Sequence, residues 1–305
     1  MVQISDTAFA EQVKSFLEDR EWSMSTLARS AGISKATLSQ YMSASYPGDV
    51  DKIRTKLSGV MTRENDKLSE PVRVMGFVET SVSTRVFKIA HSCHIYCEIG
   101  VCYSAAGLGK TESVREYARQ NPDVILIEAD PGYTAKILFQ ELRDSVGGSS
   151  RTNLHDIFVD CCQRLKNSGR LLIIDEAEQL PYKALEMLRR LHDKTGIGIL
   201  LVGMPRLISN LSGMKGEYAQ LYSRVGIATK LLPITEKDAS NIIDVMLPGC
   251  SDKIKGAFYK EVAGNTRRLC KMITRSQAIA HKNKMDVSED VIRRAAGLVK
   301  LEVMS

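Results

Sequence analysis

Two short stretches bring together residue types suited to phosphate chemistry. Residues 102–111 read CYSAAGLGKT and residues 171–176 read LLIIDE. The first matches G-x-x-x-x-G-K-[ST] in its last three places, Gly109, Lys110 and Thr111, while Ser104 stands where the first glycine is expected. A loop of this type curls so that its N–H groups point at phosphate oxygens, and the helix after it presents its positive N-terminus to the same charge. Gly107, Leu108 and Gly109 fall in the part of the curl nearest the β- and γ-phosphates. Lys110 would neutralise those phosphates, the Thr111 hydroxyl would coordinate Mg2+, and Glu112 opens the helix. Ser104 lies at the loop's entrance, where curvature is least and a small residue is tolerated.

The second stretch is an apolar strand ending in adjacent carboxylates. Asp175 would hold Mg2+ through water, and Glu176 would polarise the attacking water. Taken singly, a Gly-Lys-Thr can occur in an ordinary strand-to-helix turn, and two acids can simply end a buried strand. Together, with Lys110 and Asp175 sixty-five residues apart, they predict ATP and Mg2+ as ligands and make Asp175 and Glu176 the catalytic carboxylates.

Such residues need elements to position them. HIYCEIGVCY (94–103), DVILIEA, RLLIIDE and GIGILLVG read as strands with amphipathic segments between them. That alternation predicts an α/β core over residues 86–235, a parallel sheet with helices on both faces. Residues 58–85 before it are polar and broken by Pro71 and Gly76, which reads as a linker. Residues 236–305 after it keep only helical periodicity, in roughly four segments split at PGCSD, AGNT and KNKMD. His91, Cys93, His94 and Cys97 are metal-ligand types, but a strand from His94 to Tyr103 would send neighbouring side chains to opposite faces, and no second pair stands at finger spacing. Zinc is not expected there.

The 305 residues are 44% hydrophobic, enough for one large domain or two to three small ones. No apolar run approaches the ~18 residues of a membrane span, and MVQISDTAFAEQV lacks the apolar centre of a signal peptide. Seven scattered cysteines suit reduced thiols. These features predict a cytoplasmic protein away from membranes. The formal charge of +6 permits nucleic-acid binding without requiring it. From Glu236 onward thirteen Lys/Arg face nine Asp/Glu, and Arg267, Arg268, Lys271, Arg275, Lys282 and Lys284 crowd one stretch.

Residues 1–57 read as an all-α module built on a helix-turn-helix, MSTLARSAGISKATLSQYMSASYPGD (24–49). Leu27 and Ala28 pack the first helix, Gly32 permits the turn, Ile33 plugs the core, and Ser34 caps a second helix whose Leu38 and Tyr41 face inward. Ser34, Lys35, Thr37, Ser39 and Gln40 face outward, a set suited to phosphates and base edges in a major groove. The same packing serves a small helical interaction domain; the match along the whole motif favours DNA.

Past LLIIDE come the strand GIGILLVG, then MPRLISN, GEYAQLYSRVG (216–226) and the tail segment AGNTRRLCKMI. This order resembles the AAA+ class, in which a helical lid follows the nucleotide-binding core. The resemblance implies an arginine on a late core helix that reaches the neighbouring subunit's γ-phosphate, a role Arg224 fits. It also implies a lid arginine acting in cis, Arg267, with Arg268 as the fallback. The class usually carries Asn or Thr at the end of the fourth strand to orient water; Met204 stands there, so slow hydrolysis is expected.

The helix-turn-helix, linker, core and lid together resemble the phage Mu B transposition protein family over nearly the whole chain. GISKATLSQYMSASYPGD, FVETSVSTRVFKIA, GLGKTESVREYAR, LLIIDEAEQL and RLISNLSGMKGEYAQLYSRV carry the likeness. It implies an ATP-dependent helical filament on double-stranded DNA with little sequence preference, recruiting its transposase and imparting target immunity. Arg151, after GGSSRTN, is the first candidate for DNA contact in the core, and Lys271, Arg275, Lys282 and Lys284 for DNA or the transposase. Two other classes share parts of the pattern. A replication initiator or helicase loader would carry a winged helix after the lid, whereas about 70 residues follow Ile234. An ATP-sensing transcription regulator would need a palindromic specific site.

Overall fold

Three strands are buried along almost their whole length: Ile99–Tyr103 (β1), Leu171–Asp175 (β3) and Gly198–Gly203 (β4). Two others alternate between buried or half-buried and more exposed positions, Val124–Glu128 (β2) and Val225–Lys230 (β5). Strands covered on both faces read as continuous apolar runs, and only a strand with a wet side can afford polar residues. The sheet follows that rule. In the computed structural model, which describes residues 6–69, 76–148, 153–213 and 223–300, its order is β2-β3-β4-β1-β5 with every pairing parallel.

Alternate residues of the central strands feed two cores. Leu172, Ile174, Ile199 and Leu201 face Ala135–Ser145 (α7), Leu154–Leu165 (α8), Tyr182–Thr195 (α9) and Arg206–Ser212 (α10). Leu171, Ile173, Leu200 and Val202 face Ser81–Tyr96 (α5) and Lys110–Gln120 (α6). This second core runs on without a break into Glu236–Met246 (α11), Asp252–Val262 (α12), Thr266–Lys282 (α13) and Glu289–Lys300 (α14), through Ile242, Phe258, Leu269 and Ile292. The helical tail thus shares its hydrophobic interior with one face of the sheet.

The chain divides into two units, Met1–Arg73 and Val74–Ser305. The first packs Asp6–Asp19 (α1), Met24–Ser30 (α2), Lys35–Met42 (α3) and Val50–Ser69 (α4) around Phe9, Val13, Phe16, Leu27, Leu38, Tyr41, Ile53, Leu57 and Val60. Gly32 takes a left-handed φ of +61° between α2 and α3, and Ser34 Oγ caps α3 by accepting from Thr37 N at 2.9 Å.

Three elements differ from the sequence reading. The stretch 58–85, expected as linker, gives residues 58–69 to α4 and 81–85 to α5: Val60 joins the core, and Arg20 Nη2 donates to Glu64 O at 2.9 Å, tying the end of α1 to α4. Polar composition hid a helix whose apolar face is narrow. His94–Tyr96, expected to begin a strand, instead end α5, which stops where Cys97 turns left-handed at φ +50°. Short apolar runs fit either state until a turn decides them. Arg224, expected on a core helix, lies in a turn directly before β5; residues 216–222 of that expected segment lie outside the described residues.

Asp238 joins sheet and tail. Its Oδ1 accepts from Ser81 N at 2.9 Å, and its Oδ2 accepts from Ser81 Oγ at 2.6 Å and from Thr235 N and Oγ1, both at 2.8 Å. One carboxylate thereby caps the starts of α5 and α11. Burial alone would raise its pKa, but the hydrogen bonds from Ser81 and Thr235 outweigh that and hold it below the ordinary aspartate value. The stabilisation is therefore complete above the ordinary aspartate range and lost as pH falls through the lowered folded value. Asp238→Asn should destabilise the Val74–Ser305 unit by about 1–3 kcal/mol at neutral pH. It should also flatten the acid limb of the stability curve, both read by urea unfolding at pH 7 and at about pH 2.5, below the ordinary aspartate range.

Candidate nucleotide site

β1 ends at Tyr103, and the chain crosses to its neighbour by donating Ser104 N to Gly203 O at 3.2 Å. From there it curls to the start of α6. Gly107 and Gly109 take left-handed φ of +82° and +93°, the region that favours glycine. Ser104 is 1% exposed, its hydroxyl donating to Ala105 O at 2.9 Å. The buried Lys110 ammonium bonds Ser104 O, Ser104 Oγ and Ala105 O, each at 3.1 Å. The serine is therefore more than a tolerated substitute, since its hydroxyl is a direct partner of the loop lysine. Burial pulls the Lys110 pKa down, and the charges of Asp175, Glu176 and Glu178 resist it.

At the tip of β3, Asp175 is 1% exposed. Its Oδ1 accepts from Glu176 N at 3.0 Å, and its buried Oδ2 has no protein partner. Burial pushes this carboxyl up, with the Thr111 side chain pulling the other way. Glu176 turns left-handed at φ +51°, and its pKa is raised by burial and by the charge of Glu178. Glu178 is the residue the sequence reading passed over. It is buried, neither carboxylate oxygen has a protein partner, and a Cβ on Gly203 would fall 2.1 Å from its Oε2. Only a glycine at the end of β4 leaves room for it.

Because β4 lies between β1 and β3, the loop and the carboxylates flank one strand tip at the carboxyl edge of the sheet, where parallel α/β sheets bind ligands. A cavity of about 410 Å³ opens there, lined by Gly107, Gly109, Lys110, Thr111, Glu112, Glu176, Met204 and Arg267. Glu128 and Arg115 join its wall, bonded to each other at 2.8 Å. A second cavity of about 560 Å³ shares Gly109, Glu112, Arg115 and Thr266 and adds Phe77, Val78, Leu108 and Ile242. Phe77 stacks on Phe87 at 5.9 Å. Polar and apolar chambers side by side suit a phosphate chain and a base. Phe77 and Val78 fell in the stretch read as linker; they open FVETSVSTRVFKIA, which carried the family likeness without any part in the site. A third cavity, about 710 Å³ between α8 and α9, touches none of the expected site residues.

The donor set fits ATP with Mg2+: backbone amides and a lysine for phosphate, and the Thr111 hydroxyl with a buried carboxylate oxygen lacking any protein donor for the cation. Of the two lid arginines, Arg267 lines the cavity, while Arg268 does not and keeps Nε and Nη2 buried. Arg224 lies elsewhere. β5 runs parallel to β1, with Val225 beside Ile99 and Lys230 beside Tyr103, so Arg224 is a strand's length, roughly 15 Å, from the loop end. Its half-exposed side chain pairs with Asp193 at 3.4 Å. In the other unit Ser34, Lys35, Ser39 and Gln40 are exposed and Thr37 is half-buried. Arg151 lies outside the described residues. Lys271, Lys282 and Lys284 are exposed on or beside α13, with Arg275 half-buried. Among the described residues no group of three metal-ligating side chains forms, and no helix is long and apolar enough to cross a membrane.

Comparisons with known proteins agree with this geometry. Residues 94–211 match the AAA domain family. In fold, the chain is similar to the ORC2 protein of Aeropyrum pernix, with a TM-score of 0.55 at 17% identity over 76% of this chain and 71% of that one. In sequence, it is 27% identical over 300 residues to the ATP-dependent target DNA activator B of Escherichia phage Mu, covering 95% of each. It is 30% identical over 239 residues to the Mu-like prophage FluMu DNA transposition protein B of Haemophilus influenzae, covering 76% of this chain and 82% of the relative. A parallel P-loop sheet with its helical lid, and this identity sustained over most of both sequences, place the chain in the phage Mu B family of DNA transposition proteins.

Proposed function

We propose that this protein is an ATP-switched DNA-binding ATPase that assembles on target DNA with little sequence preference and presents that DNA to a transposase. The observation that carries the reading is the convergence of Lys110, Thr111, Glu176 and Arg267 on one cavity, with Asp175 buried at its base, in a chain whose relative is named an ATP-dependent target DNA activator. In this reading Lys110 leaves Ser104 and Ala105 to meet the phosphates, while Thr111 and Asp175 hold Mg2+. Bound ATP supplies the phosphoanhydride whose cleavage ends the DNA-bound state. Glu176 would take the water's proton, a role favoured by the upward push on its pKa from burial and Glu178. Ser34, Lys35, Thr37 and Gln40 on the N-terminal module, and Arg151 in the core, are the proposed DNA contacts. Electron microscopy with random-sequence duplex tests the whole reading: regular filaments with ATP and none without it are expected, and ATP-independent binding to a single defined site would overturn it.

The site assignment makes its own predictions. Lys110→Ala should weaken ATP binding roughly 10–100-fold, the effect of losing a charge-assisted contact, and abolish ATP-dependent DNA binding with it. Glu176→Gln should retain ATP and stop turnover, leaving complexes that persist on DNA. Isothermal titration and filter binding distinguish the two.

Met204 forms part of the cavity wall and is 40% exposed, so an amide at this place meets the site without displacing core. Met204→Asn should raise DNA-stimulated turnover severalfold while ATP affinity stays within about twofold. A fall in turnover would show the thioether to be packing the site.

Arg224, a strand's length from its own loop, is proposed to act on the next copy. Arg224→Ala should bind ATP as an isolated subunit yet lose about a thousandfold or more in DNA-stimulated hydrolysis. Mixed with Lys110→Ala subunits, it should regain activity, since an intact pocket then meets an intact arginine. No recovery in the mixture would exclude action between subunits.

A further inference from the structure

A loop that turns its N–H groups toward an anion must turn its carbonyls the other way, where protein donors can hold them. Here the donors come from the lid. Three successive residues at the start of α13 bond three successive carbonyls of the phosphate loop. Asn265 Nδ2 donates to Ala106 O at 3.0 Å, Arg267 N to Gly107 O at 2.9 Å, and Thr266 Oγ1 to Leu108 O at 3.4 Å. Asn265 does two jobs with one amide, because its Oδ1 accepts from Arg268 N at 2.9 Å and so caps α13. The approach is tight: a Cβ on Gly107 would lie 2.6 Å from Asn265 Oδ1. The first glycine of the curl is needed as much for the lid behind it as for the phosphate in front.

We infer that Asn265 is a positioning residue for the phosphate loop: it holds the loop from the lid side in the curl that aims its N–H groups at phosphate, by a contact separate from the Arg267 side chain. The inference rests on the nucleotide-site reading above. It makes lid docking and phosphate binding reciprocal, since whatever fixes the curl also fixes the carbonyls that the lid holds.

The test needs a substitution that spares the cap. Asn265→Asp keeps the oxygen that accepts from Arg268 N, removes the donor to Ala106 O and sets a carboxylate against that carbonyl. ADP and adenosine are titrated against the full-length protein, and amide exchange is followed in the ligand-free state. ADP affinity should fall about tenfold, with adenosine affinity unchanged. Exchange should rise at residues 104–111 while the first turn of α13 stays protected. Asn265→Ser, which also keeps a capping oxygen but is too short to reach Ala106, should behave alike. Undiminished ADP affinity in both variants overturns the inference, as does an equal fall for ADP and adenosine, which would mark a lid that has come loose as a whole. A wild-type protein that binds neither ligand overturns the nucleotide reading itself, and this inference with it.

Discussion

The polarity of the peptide group governs this structure more than any side chain does. Between β1 and α6 the chain must present amides to one side and dispose of carbonyls on the other, within the few residues from Ser104 to Gly109. The solution is distributed. Ser104 N is taken by Gly203 of β4, the carbonyls of Ser104 and Ala105 by Lys110, and those of Ala106, Gly107 and Leu108 by the lid. A loop of two positive-φ glycines has no rigidity of its own. Its shape is borrowed from the strand, the lysine and the helix around it.

The same economy explains the carboxylates. Asp175 and Glu178 are buried with oxygens that no protein donor reaches, an arrangement that works against folding unless cationic charge stands nearby. The charge of Lys110 acts on both, and that lysine is itself buried and bonded to loop carbonyls. A site with excess negative charge on the β3 side and amide dipoles on the β1 side is matched to a ligand carrying both signs, a metal and a phosphate together. Neither half alone would balance it.

Central strands were legible because burial on both faces leaves unbroken apolar runs such as LLIID and GILLVG. β5 was not, because at an edge Gly226, Thr229 and Lys230 are acceptable and VGIATK follows directly on a segment with helical periodicity. α4 was lost beyond residue 57 for the complementary reason: around Val60 the helix is polar on most sides, and its place is decided by Arg20 reaching it from forty-four positions away. At the site, the glycines, Lys110, Thr111, Asp175 and Glu176 could be read from type and spacing, and Arg267 only through the resemblance to the AAA+ class. Phe77, Glu178, Asp238 and Asn265 could not. Glu178 fills a space left by Gly203, while Asp238 and Asn265 show locally only as a capping-box residue and a helix cap, and neither pattern encodes the distant partner. Asp238 and Asn265 hold residues 157 and 159 positions away.

Those long-range contacts also give β5 a meaning that its sequence hides. The strand begins beside Arg224 and ends where Leu231 N bonds Tyr103 O, the last residue before the phosphate loop. Three residues later Ile234 N bonds Gly264 O, whose left-handed backbone packs against Pro233 immediately ahead of Asn265. β5 and the irregular stretch after it therefore connect the arginine proposed to serve a neighbouring copy, the strand that carries the loop, and the lid that holds the loop's carbonyls. If a neighbour's phosphate draws on Arg224, the displacement is applied to the end of a strand whose other end bonds the residue that leads into its own loop. Assembly and nucleotide retention would then be coupled along one continuous stretch of chain, with no separate relay between them.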